Sequence, residues 1–184
     1  MAKVWASVVT VALIGASTAA VAQIVPGFDP PATQAKAVRD GYGFACYLAT
    51  AQRPLPGLNT RLLGVDGEGL KVEFSAPQWF TDVRPKNRST SYATVDTPEG
   101  KVWFAYDRSD NSCTVAAQPK NLEAFRAELL PKFPDAPGSW KKSGGLDWRY
   151  TGSIDKEPLV WTVRYWETTT TPVAAFVIMS ATSN

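Results

Sequence analysis

From Ser91 to Gln118 short runs of alternating and apolar positions are broken twice by turn residues, and the stretch predicts three antiparallel strands. Pro98-Glu99-Gly100 makes the first break, proline presetting φ and glycine free to take a positive φ. Arg108-Ser109-Asp110-Asn111 makes the second with side chains that bond their own backbone. In the middle run Val102, Phe104 and Tyr106 fall on one face, Trp103 and Ala105 on the other. A strand apolar on both faces is covered on both, so Lys101 to Asp107 is expected at the middle of the fold.

Further strand patterns lie on either side. Arg61 to Val65 and Leu70 to Phe74 flank Asp66-Gly67-Glu68-Gly69 as a hairpin. Trp148 to Ile154, Leu159 to Glu167 and Pro172 to Ala181 predict three more strands, the last two joined through Thr168 to Thr171. Leu159, Trp161, Val163 and Tyr165 oppose Val160 and Trp166, so this strand too has apolar groups on both faces.

The period changes to that of a helix in two places. Thr33 caps the first, which runs to about Gln52, where Pro54 and Pro56 forbid more; Val38, Tyr42, Ala45 and Ala49 form its stripe. Gly41 and Gly43 each cost such a helix roughly 1 kcal/mol, so either it packs closely on the sheet there or it begins after them. Asn121 caps the second helix, which ends near Leu130 before Pro131 and Pro134 and buries Leu122, Phe125, Leu129 and Leu130. Pro131 to Gly145 reads as loop, and Ala76 to Ser89 as a long connection without period.

The elements sum to one α+β domain: an antiparallel sheet of about five to eight strands with two helices packed on one face. Two helices on one side leave apolar residues on the other side uncovered. The material for a cover is the proline-rich arm Gln23 to Pro31 and the connection Ala76 to Ser89. The connection is expected to fold over that second face and to place a binding site at its edge, formed by Trp79, Phe80, Arg84 and Trp103.

Residues 1–22 read as a signal peptide: Lys3, an apolar run from Val4 to Ala20, then Ala20-Val21-Ala22 as a cleavage pattern. A membrane anchor is the alternative, but Ser, Thr and Gly interrupt the run and no basic stop follows it. Residues 23–184 then form a single exported domain, periplasmic or secreted, with no integral membrane span after leader cleavage. In an oxidising compartment the two cysteines, Cys46 and Cys113, are expected to form a disulfide, which closes a long loop and stabilises the fold by about 4 kcal/mol.

Composition narrows the chemistry. The chain has no histidine, which excludes Ser-His-Asp and Cys-His catalysis and histidine-ligated metals. No phosphate-binding glycine loop or serine-nucleophile signature occurs, and no catalytic residue, metal ligand or cofactor is assigned. Asp107 to Asn111 is the densest oxygen cluster, read as a polar turn rather than a calcium loop. The acid pairs Asp96/Glu99 and Asp155/Glu157 are read as surface charges. Asn87-Arg88-Ser89 matches the glycan sequon. Lys+Arg number 19 and Asp+Glu 17, too balanced for a nucleic-acid partner.

Tryptophan is in excess, with seven in the chain, and serves either a core or a stacking surface. The expected function is an exported, non-enzymatic binding or accessory module whose partner is an envelope component or protein. The alternative is a small hydrolase or transferase using carboxylate or Ser/Lys chemistry.

Overall fold

Thr33 opens the first helix as its position requires, its hydroxyl accepting from the Lys36 amide at 3.1 Å, and α1 spans Gln34–Gly41. Toward the expected end near Gln52 the backbone is π-helical at Tyr42 and Cys46, on either side of residues 43–45, which lie outside the described residues, and α2 follows at Tyr47–Ala51. Gly41 supplies the close approach that its glycine allows. A Cβ placed there would lie 2.3 Å from the Phe104 ring, so the helix crosses the sheet nearer than any side chain would permit.

The computed structural model describes residues 31–42, 46–51, 70–83, 90–134, 139–154, 157–170 and 172–183. The expected leader, nearly all of the arm, the first strand and turn of the early hairpin, Gly43, Ala45, Arg84, Lys86, the sequon and Asp155 lie outside the described residues.

Eight strands form one antiparallel sheet in the order β1-β2-β3-β4-β8-β7-β6-β5. They are β1 Leu70–Glu73, β2 Thr90–Thr97, β3 Gly100–Asp107, β4 Ser112–Ala117, β5 Lys141–Gly144, β6 Asp147–Ile154, β7 Glu157–Thr168 and β8 Ala174–Ser183. The turns behave as their residues demand: Gly100 has φ +133° and Asn111 φ +49°. Asn111 also joins three elements, accepting from the Tyr106 hydroxyl and donating to the Thr50 and Ala181 carbonyls.

β1 pairs with β2. Two expectations change. β3 is interior, but the middle of the sheet is the β4–β8 pair, whose strand β4 is buried at every residue. Part of the stretch read as loop, Lys141–Gly144, is an edge strand paired with β6. All four of its residues are exposed, so no apolar alternation marks it. A charged, solvated edge of this kind also resists pairing with other chains.

One face of the sheet carries the main core. Val102, Phe104 and Tyr106 from β3, Leu159, Trp161, Val163 and Tyr165 from β7, and Val177 and Met179 from β8 are buried there with Val38 and Tyr42 of the first helical region. The second long helix, α4 at Leu122–Leu129 (numbered after the one-turn α3 described below), adds Phe125 and Leu129. Asn121 caps α4, accepting from the Ala124 amide at 3.0 Å. Cys46 and Cys113 are bridged across 67 positions with Cα atoms 5.3 Å apart, tying the helical layer to β4. Among the described residues no helix is long and apolar enough to cross a membrane.

Candidate binding face

The described part of the connection after β1, residues 76–83, folds over the sheet's second face. Pro77 cannot donate from its nitrogen but its carbonyl accepts from the Phe80 and Thr81 amides, starting the single helical turn α3, Gln78–Thr81. Neighbouring residues on such a turn point in different directions. Phe80 therefore drops onto the sheet while Trp79 lies beside it, their rings perpendicular with centroids 5.7 Å apart.

Phe80 is fully buried over a floor of small side chains, Ala105, Ala116 and Ala174. Around it stand Tyr92 at 6.2 Å, Trp103 at 6.3 Å and Phe176 at 6.3 Å between ring centroids. Trp166 stacks on Phe176 at 4.5 Å, and Trp79 meets the edge of that ring at 5.8 Å. Burying Phe80 contributes roughly 2–3 kcal/mol, enough to hold the turn in place. Trp79, Trp103 and Trp166 are each only partly buried, so three indoles present an edge or face to solvent around a buried phenyl pair. Lys101 Nζ lies 6.0 Å from the Trp103 ring centre.

Three of the four residues expected at the binding site, Trp79, Phe80 and Trp103, come together here, and Arg84 lies outside the described residues. Phe80 is buried completely, so it supports the surface from beneath and offers a ligand no contact. Trp166 and Phe176 complete the cluster. Alternation already sets Trp166 opposite Trp161, but only the register Trp166↔Phe176↔Ala116↔Trp103 brings it beside Trp103's row.

The same face changes character toward β5. Arg149, Thr162 and Ser180 are successive cross-strand partners, and with Asp147, Arg164, Ser143 and the apolar Trp148, Val163 and Ile178 they line an open groove of about 510 Å³. The Thr162 and Ser180 hydroxyls are bonded at 2.8 Å. Arg164 donates from Nε and Nη2 to the two carboxylate oxygens of Asp147, at 3.0 and 3.3 Å.

Asp96 and Glu99, read from sequence as surface charges, have partners. Asp96 bonds Lys71, which holds its carboxyl below the usual range, and Glu99 accepts from the Gln34 amide at the start of α1 at 2.8 Å. Hydrogen bonds from Lys101 and Thr94 lower Glu73, and those from Arg126, then Tyr165, lower Glu167. Asp107 accepts from the Ser109 amide and hydroxyl, an Asx turn as its sequence suggests. Among the described residues no group of three or more acidic or cysteine side chains is placed to hold a metal ion.

No family model matches the chain, and neither the curated proteins nor the solved structures compared with it yield a match.

Proposed function

We propose that the protein is an exported, non-enzymatic binding module of the cell envelope, working through the second face of its sheet. The observation that carries this reading is the trio of half-buried indoles, Trp79, Trp103 and Trp166, ringed around Phe80 and Phe176. On the helix side Trp161, by contrast, is buried to 1 % exposure. Rings held rigid from below and open at one side supply contact area with little conformational entropy left to lose on binding. The carboxylate form of the alternative hydrolase would need a carboxyl held above its ordinary range to act as general acid at neutral pH. The shifted carboxylates of the described residues, Glu73, Asp96 and Glu167, all move the other way.

The test is a titration of the protein with solubilised envelope components, soluble peptidoglycan fragments and envelope oligosaccharides first, followed by calorimetry. Trp79→Ala should weaken binding by about tenfold, the effect of one well-placed aromatic contact, while the protein stays folded at the assay temperature. Unchanged affinity in the folded Trp79→Ala protein would refute this face as the binding surface.

A further inference from the structure

The groove over β6, β7 and β8 holds a charge with no partner among the described residues. Arg149 is exposed, and among the described residues no carboxylate or hydrogen bond engages its guanidinium. Its neighbours do not neutralise it. Arg164 occupies the diagonal position one register step away and takes both oxygens of Asp147, the one acid in the lining. Across the edge strand Lys141 is the direct partner of Arg149, so a second cation stands on the same face. Two guanidiniums therefore share the groove with one carboxylate, and the carboxylate is already spent.

The rest of the lining divides between the apolar Trp148, Val163 and Ile178 and three hydroxyl residues. In the bonded pair Thr162 and Ser180 one hydroxyl donates to the other, which leaves one proton free to donate and lone pairs free to accept. Ser143 adds a third hydroxyl at the β5 side. Guanidinium nitrogens only donate, so they call for an anion; hydroxyls both donate and accept, so they suit a body that carries hydroxyls itself. The volume of about 510 Å³ is that of a small-molecule site and far exceeds one inorganic anion. The chain's near balance of charge, net +2, is too small a footprint for a nucleic-acid backbone.

We propose that this groove binds an acidic saccharide, with a uronate carboxylate held by Arg149 and the sugar hydroxyls met by Thr162, Ser180 and Ser143. Arg164 is fixed in orientation by Asp147 and keeps its remaining N–H groups for the ligand. The site is separate from the indole cluster and goes beyond the binding surface proposed there.

An oligogalacturonate is the direct probe, titrated into the full chain by calorimetry and by amide chemical-shift mapping, beside a neutral oligosaccharide of equal length and inorganic phosphate. The acidic oligosaccharide should bind more tightly than either control, shift amides of β6 to β8, and lose affinity as salt is added. Arg149→Gln should weaken it by about tenfold with no change in melting temperature, and Thr162→Val by a smaller factor. Trp79→Ala should leave this affinity unchanged, which separates the groove from the indole surface. Absence of binding, equal binding of the neutral sugar or of phosphate alone, or amide shifts confined to α3 and the helix face would each overturn the proposal, and shift mapping needs no variant to fold.

Discussion

The second face of the sheet has two halves that solve the same problem differently. Over β2, β3, β4 and the start of β8 the side chains are small or aromatic, and the α3 turn closes on them with Phe80. Over β6, β7 and the end of β8 the outward positions include Arg149, Thr162, Arg164 and Ser180, which need no cover because water satisfies them, beside the apolar Val160 and Ile178. The boundary falls within single strands: β7 passes from Thr162 and Arg164 to Trp166, and β8 from Phe176 to Ile178 and Ser180. The α3 cover thus lies over the half where aromatic and small apolar groups dominate the second face, and the more polar half is left for polar recognition.

If this division is right, substitutions of similar size should differ sharply between the halves. Phe80→Ala should cost about 3–5 kcal/mol, seen as a lower urea midpoint, because it empties the cavity over Ala105 and Ala116. Filling that floor should also hurt: Ala116→Leu forces the fully buried site apart and should cost about 1–3 kcal/mol in the same assay. Arg149→Gln, on the open half, should change stability by no more than about 0.5 kcal/mol. An equal loss at Arg149 would mean that the open half is packed after all.

A smaller effect distinguishes the second face from the helix side. There Glu167 of β7 accepts from Arg126 of α4, with Nε at 2.6 Å, and from the Tyr165 hydroxyl. These bonds hold the Glu167 carboxyl below its ordinary value of 4.5, so the unfolded chain takes up the proton first as pH falls. The stability they contribute is complete above that ordinary value and is lost as pH drops through the lower folded one. Solvent around the Arg126 side chain, 45 % exposed, keeps the contribution small. Melting curves across the acid range should show it, and Glu167→Gln should flatten that part of the profile.

How far these features could be read from residues alone varies with their range. The β2 to β4 unit, both helix caps and the disulfide rest on local pattern or on having only two cysteines, and each is present. The cover by Trp79 and Phe80 followed from counting faces: two helices shield one side, and Trp103 and Ala105 needed something on the other. Break points were harder, since the close approach at Gly41 depends on Phe104 from a distant strand. β5 carries Lys-Lys-Ser-Gly and has no period to detect. The groove is hidden for a different reason: Arg149, Thr162 and Ser180 sit on three strands and become neighbours only through register.

The central claim, that the second face is the working face, is tested most directly by the indole N–H resonances. Each can be assigned by single substitution and followed as solubilised envelope saccharides are added. The account predicts that Trp79, Trp103 and Trp166 move together while Trp161, buried on the helix side, stays in place. Movement of Trp161 with the other three unchanged would contradict it.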